Sequence, residues 1–285
     1  MTVWDADWLD RQYNNRANVP EHLAIMQRWT ESSRLARSRM TADLDLPYGA
    51  SAAETLDVFP AAQSGSPVLV FIHGGWWRSL GKQDFSFVAP AFVHAGAAVV
   101  VPDYGLCPGV DMPTIALQMV RALVWTFRNI ARYGGDPDRI VVAGHSAGGH
   151  LAAMLLCCNW QSQGDDLPAS LVKAALSISG LYDLEPISQI GFLKDDLKLT
   201  PTQIERLSPA RFPAPANPLI TVVGGDESEE FHRHNQLIRD AWGPTAVPQV
   251  VSVPETNHFT VLHALVDPPE RLHRLALDLL GLQPA

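Results

Sequence analysis

Cysteine is scarce in this chain, with three residues, Cys107, Cys157 and Cys158, in 285. An odd count with two of the three adjacent excludes a disulfide framework, so these read as free core thiols in a reducing, cytoplasmic setting. Long apolar runs are missing too. Runs such as 68–72 and 97–101 are strand length, far below the roughly 20 residues that span a bilayer. No basic block occurs, and 21 basic against 30 acidic residues leave a net charge of -9, which argues against nucleic acid or an anionic membrane as partner. The first eight residues carry acid where a secretory signal would carry base, and no apolar stretch follows them, so export is not expected. Internal repeats and low-complexity tracts are absent as well. The expected ligand is a small molecule.

What the chain has in quantity is hydrophobic residues, 47% of the total, enough to bury a large core in one α/β domain over residues 1–285. Residues 1–45 read as a helical N-terminal extension, polar with intermittent apolar contacts such as Trp8, Leu9, Tyr13, Ile25, Met26 and Trp29. Residues 55–59 alternate as a half-exposed edge strand does. Further strand-like runs lie at 68–72, 97–101, 140–143, 174–179, 218–223 and 248–253. Helical patterns, notably 113–132 and 228–242, separate most of them, which implies βαβ crossovers, a mainly parallel twisted sheet and helices on both faces. The proline-rich stretch 183–217 is irregular and reads as a short cap over the strand ends. An apolar segment at 272–282 is either a homodimer surface or ordinary core.

The pentapeptide Gly144-His145-Ser146-Ala147-Gly148 is weak evidence alone, because glycine is common. Its context strengthens it: a short β-branched run precedes it and a helical run follows. That is the setting of a nucleophile elbow, in which the serine takes a strained turn and small neighbours avoid collision with the adjacent strand and helix. Ser146 is therefore the candidate nucleophile of an α/β-hydrolase fold.

A serine hydroxyl needs a base, and the base needs an acid to fix its tautomer. Of ten histidines, His258 fits best, since it follows the last strand on a loop leading to a helix, and triad members in this fold run Ser, acid, His. His145 and His150 flank the nucleophile and read as structural. His232, His234, His263 and His273 lie in helical patterns and read as solvated or packing residues. For the acid, Asp226 and Glu227 follow the penultimate strand in succession, and Asp183 is a third option after the preceding strand. His73-Gly74-Gly75-Trp76-Trp77 follows a strand, where glycines let backbone N–H groups approach an oxyanion. Gly74, Gly75 and Ala147 are the expected oxyanion hole. Trp76, Trp77 and Tyr104 are the candidate substrate-pocket residues, with plain core as the competing reading for at least one tryptophan and a structural turn for Tyr104. No metal site stands out, and no cofactor is expected.

These residues resemble the arylformamidase (kynurenine formamidase) branch of the α/β-hydrolases, related to the hormone-sensitive-lipase type esterases. The resemblance rests on the pattern at 73–77, the elbow with His150-Leu151-Ala152-Ala153-Met154 after it, Asp183-Leu184-Glu185-Pro186-Ile187, and Glu230-Phe231-His232-Arg233. In that family an acidic residue, usually Asp, stands directly before Ser-x-Glu-Phe. The resemblance thus implies Glu227 rather than Asp226 as the acid, with Glu in place of Asp. Trp76 stands where the family commonly has Tyr. The implied reaction is hydrolysis of an aryl formamide such as N-formyl-kynurenine, and many members also cleave small activated aryl esters. A carboxylesterase with the same triad is the nearest alternative. A non-catalytic binding protein on this fold is the reading from another class, which covalent labelling of Ser146 by a fluorophosphonate would exclude.

Overall fold

Residues 66–72, Ser-Pro-Val-Leu-Val-Phe-Ile, are apolar without alternation, and every one is buried. Such a strand belongs in the interior of a parallel sheet with helices on both sides. A computed structural model describes residues 3–283 and puts it there; residues 1, 2, 284 and 285 of the expected domain, the first two in the expected extension, lie outside the described residues. One sheet contains β1 (Asp43–Pro47), β2 (Thr55–Phe59), β3 (Ser66–Ile72), β4 (Ala98–Pro102), β5 (Gly135–His145), β6 (Val172–Ile178), β7 (Leu219–Gly224) and β8 (Gln249–Val253). The spatial order is β1-β2-β4-β3-β5-β6-β7-β8. β2 pairs antiparallel with both β1 and β4, and the remaining strands pair in parallel. This is the α/β-hydrolase arrangement that the elbow implies.

The helices are α1 (Ala6–Tyr13), α2 (Asn15–Asn18), α3 (His22–Arg39), α4 (Ala89–His94), α5 (Met112–Asn129), α6 (Ala147–Leu156), α7 (Lys194–Leu197), α8 (Pro201–Leu207), α9 (Glu229–Ala246), α10 (Val261–Val266) and α11 (Arg271–Leu280). Strand side chains alternate between two core layers. Val68, Val70 and Ile72 of β3 face α5, α6 and α9, whereas Leu69 and Phe71 face α3, α4, α10 and α11. Each fully buried side chain of this kind contributes about 1.5–3 kcal/mol. Leu272, Leu275, Ala276, Leu277 and Leu280 of α11 are buried in the second layer, so most of the apolar face at 272–282 is core.

The N-terminal helices divide between the layers. α1, capped by Asp5 accepting from Trp8 N–H at 2.7 Å, buries Leu9 and Tyr13 in the first layer, while α3 buries Ile25 and Trp29 in the second. The chain between α1 and α3 therefore passes across the sheet from one face to the other. Buried Asp57 of β2 pairs with Arg37 of α3 and lies 2.8 Å from Lys82 Nζ, which ties α3 down.

Three expectations need correction. The extension is helical only to Arg39, because residues 43–47 form β1, the true edge, with alternating exposure. Its two aspartates and proline disguise it, and an edge strand tolerates all three. Behind it β2 is almost wholly buried, not half-exposed. The stretch 183–217 contains α7, α8 and 3-10 turns, with Leu184, Ile187, Ile190, Leu193, Ile204 and Leu207 in the first core layer. The helical pattern read at 228–242 holds: α9 is regular to Trp242, after which Gly243 adopts φ 79° and Pro244 follows.

Candidate active site

β5 ends at His145 and α6 begins at Ala147, so Ser146 alone makes the turn, with φ 56° and ψ -116°. A non-glycine residue in this region carries strain of order 1–3 kcal/mol. The surroundings hold it. Ser146 N–H donates to Ile178 O at 2.8 Å, and its carbonyl accepts from His150 N–H at 3.1 Å. Gly148 is obligatory here for close approach, because a Cβ there would lie 2.0 Å from Ile72 O.

The loop after β3 approaches the same serine. A Cβ on Gly74 would lie 3.1 Å from Ser146 Cβ, which shows how closely the backbone passes the nucleophile. Gly75 has φ 112°, a conformation that suits glycine, and Trp76, Trp77 and Leu80 also have positive φ. Ala147 is the first residue of α6, so its N–H has no partner within the helix and lies at the positive end of the dipole. Gly74, Gly75 and Ala147 are thus gathered beside Ser146.

His258 follows β8 on a loop ordered by Asn257, whose Oδ1 accepts from Phe259 and Thr260 N–H, both at 2.9 Å. His258 Nδ1 lies 2.6 Å from Glu227 Oε2. Glu227 Oε1 accepts from the Ser179 hydroxyl at 2.5 Å and from Gly224 N–H at 2.7 Å. The Glu227 side chain is fully buried, and three donors orient its carboxylate. Asp226 is exposed, and its N–H donates to Thr256 O at 2.9 Å. Asp183 is 3.6 Å from Arg211. Of the three acids weighed from sequence, Glu227 is the one hydrogen-bonded to His258.

Ser146 and His258 line one cavity, walled by Trp29, Trp76, Phe85 and Phe259. Among the pocket expectations Trp76 lies here, held edge-on against Tyr13 at 6.2 Å and Phe192 at 6.2 Å. Trp77 and Tyr104 do not line it. Trp77 is fully buried against His150. Tyr104 stacks on His73 at 4.2 Å and donates to His73 O at 2.9 Å, so it braces the loop from behind. His73 Nε2 also lies 3.0 Å from Asp103 Oδ1.

The neighbouring histidines have definite jobs. His145 Nε2 donates to His258 O at 2.8 Å, fixing the backbone of His258. Burial, then the nearby His258 ring, hold His145 well below the usual imidazole range. His150 Nε2 donates to Leu207 O at 2.7 Å, and burial lowers its pKa to about 4. His234 and His273 are buried; His232 is half-buried, 3.3 Å from Gly225 O, and His263 is exposed. Cys107 is buried, whereas Cys157 and Cys158 follow the end of α6 and are half-buried. Burial pushes Cys107 and Cys158 up to about 11 and Cys157 up to about 12, so none supplies a thiolate near neutrality. Among the described residues no group of three His, Cys, Asp or Glu side chains is placed to hold a metal, and no helix is long and apolar enough to cross a membrane.

Sequence reasoning missed Ser179, Asn15 and Arg16. Ser179 sits at a strand end with φ 52°, a backbone feature with no side-chain signature. Asn15 and Arg16 line the cavity although they belong to a polar stretch that looks solvated.

The BD-FAE family model matches residues 56–230, more than half of the chain. Kynurenine formamidase of Danio rerio is 33% identical, the match covering 92% of this chain and 89% of that protein. Kynurenine formamidase of Salmo salar is 31% identical, with the same two shares of 92% and 89%. A solved structure described as a putative thioesterase from Silicibacter sp. TM1040 is 30% identical, with a TM-score of 0.81 over 93% of this chain and 97% of that one. The chain is a hydrolase, and it belongs to the arylformamidase-like, BD-FAE family of α/β-hydrolases.

Proposed function

We propose that this enzyme hydrolyses aryl formamides such as N-formyl-kynurenine through a triad of Ser146, His258 and Glu227. Ser146 Oγ attacks the formyl carbon while His258 Nε2 takes its proton, and Glu227 holds the Nδ1 proton and stabilises the imidazolium. Gly74, Gly75 and Ala147 N–H groups receive the oxyanion. The C–N bond then breaks, His258 protonates the departing arylamine, and the formyl group stays on Ser146. Water, deprotonated by His258, releases formate and restores the hydroxyl.

The observation that carries the formamide reading is the size of the cavity beside Ser146. The space open to the centres of water molecules is about 30 Å³, roughly room for two waters at about 10–15 Å³ each. A one-carbon acyl group suits that space and a long acyl chain does not. Aromatic side chains border it, and an aryl leaving group, too large for that space, would extend outside it against them. Aryl ester hydrolysis is the second reading: the same residues serve it, and the structural relative at 30% identity is described as a putative thioesterase. Free thiols at all three cysteines suit a reducing, cytoplasmic compartment.

The test is turnover of N-formyl-kynurenine and p-nitrophenyl acetate by wild type and Ser146→Ala. A formamide kcat/KM at or above roughly 10⁴ M⁻¹s⁻¹, lost in the variant, is the expected result. Ester cleavage alone would replace the formamide with an ester substrate, and failure on both would remove the catalytic assignment.

A further inference from the structure

We infer that Arg16, with Asn15 beside it, selects substrates whose leaving-group half carries a carboxylate. The inference rests on the reading of Ser146 as the nucleophile. The space at Ser146 admits a small acyl group, so the remainder of the substrate must extend toward the mouth of the cavity. Asn15 and Arg16, in the stretch where the chain crosses from α1 on one face of the sheet to α3 on the other, line that cavity.

Two observations give this stretch a chemistry. Arg16 is the one side chain of fixed charge among those lining the cavity, and no carboxylate lines it with Arg16. Its guanidinium is exposed and reaches Ser79 Oγ at 3.4 Å; among the described residues no acidic side chain pairs with it. In a chain of net charge -9, a cation left without a carboxylate at the mouth of a reactive cavity is chemically pointed. Asn15 is 6% exposed, lines the same cavity, and its Nδ2 has no hydrogen-bond partner among the described residues. A buried amide donor without a partner costs about 1–3 kcal/mol, a cost that an acceptor on the substrate removes. A carboxylate provides both what a guanidinium fork binds and what an amide donor lacks. The apolar aromatic walls recognise the ring, and this polar corner recognises the acid.

The position also fixes how the preference should respond to conditions. Because Arg16 faces solvent, its attraction is screened as salt rises. Because it meets the leaving half and not the acyl carbon, its loss should appear mainly in KM, as binding common to ground and transition states.

The experiment uses the full chain and two substrates of equal size, N-formyl-kynurenine and its α-carboxamide, with kcat/KM measured for wild type, Arg16→Gln and Arg16→Lys. Wild type should prefer the acid, and Arg16→Gln should cut the acid-to-amide ratio about tenfold, between the range for an exposed pair and that for a charged hydrogen bond. The loss should fall on KM. Arg16→Lys should restore part of the ratio, and raising salt from about 50 mM to about 500 mM should shrink it in wild type but not in Arg16→Gln. An unchanged ratio in Arg16→Gln, with both formamides turned over, overturns the inference and leaves the formamidase reading standing. If neither formamide is turned over, that reading fails, and the ratio is read on 3-(4-acetoxyphenyl)propanoate and its amide. A tenfold fall there supports carboxylate selection, and no change overturns it.

Discussion

Two acid and imidazole arrangements lie within a few residues of each other in this molecule, and only one borders the cavity that Ser146 lines. In the first, Glu227 meets His258 Nδ1 at 2.6 Å, and the ring lines the cavity with Ser146. In the second, Glu230 accepts from the Tyr13 hydroxyl at 2.5 Å, and that oxygen lies 3.1 Å from His234 Nε2. His234 Nδ1 accepts from Tyr182 N–H at 3.0 Å. Both nitrogens of His234 therefore have partners, and its ring is fully buried. His258 has one nitrogen held by an acid, and its ring borders the cavity that Ser146 lines. The residue types are nearly the same. What separates the proposed base from a structural clasp is whether both ring nitrogens are taken up inside the core.

The largest effect that sharpens this contrast is expected from Glu227→Gln. The change keeps the side chain's length but removes the charge and lets the amide favour the wrong tautomer of His258. A fall in kcat of about 10³–10⁴ is expected, with the thermal midpoint little changed. Asp226→Asn, one residue away on the exposed side, should alter kcat less than about twofold, as a change remote from the reacting groups. Steady-state kinetics on both variants checks the pair. Equal losses would mean that the two carboxylates share the role.

Much of the first site was readable from sequence because its parts have local signatures. The elbow is written in Gly144, Ser146 and Gly148 between a strand and a helix, and the proposed base in a histidine after the last strand. For the proposed acid, position leaves Asp226, Glu227 and Asp183 open, and the resemblance implies Glu227. Other parts depend on direction, which a linear pattern does not carry. Trp76 and Trp77 are adjacent and equally aromatic, yet one turns to the cavity and the other to the core. Tyr104 could be placed after a strand but not behind His73. β1 was hidden because its aspartates suit an exposed edge rather than a strand pattern. Asn15 and Arg16 reach the cavity only because α1 and α3 pack on opposite faces, a tertiary fact absent from local composition.

The next effect tests the sealed histidines by pH. Burial holds His145, His150 and His234 below the ordinary imidazole value, with His150 near 4. The unfolded chain binds protons at these sites below about 6.5, whereas the folded one does not, so stability rises with pH across that window. It should be complete above about pH 6.5 and should fall as pH drops toward the folded values. For His150 alone the whole window corresponds to about 3 kcal/mol. Urea unfolding at pH 7.5, 6 and 5 should show a falling midpoint, and His150→Gln should flatten the slope. A midpoint independent of pH would show that these rings charge as readily inside the fold as outside.

The smallest effect comes from breaking the clasp without touching the cavity wall. Tyr13→Phe removes the hydroxyl between Glu230 and His234 but keeps the ring, which still meets Trp76 and Phe231 edge-on at 6.2 and 6.0 Å. Glu230 retains Arg233, at 2.7 and 2.8 Å, while His234 Nε2 loses its partner inside the core. One unsatisfied buried group costs about 1–3 kcal/mol, so the denaturation midpoint should fall by a corresponding amount. Because α1 holds the chain that carries Asn15 and Arg16 across the sheet, any loosening should raise KM before it lowers kcat. A kcat within about threefold of wild type, against the 10³–10⁴ loss for Glu227→Gln, is the outcome that keeps the two imidazoles in different roles. A large loss of kcat in Tyr13→Phe, with stability intact, would join the second arrangement to the chemistry of the first.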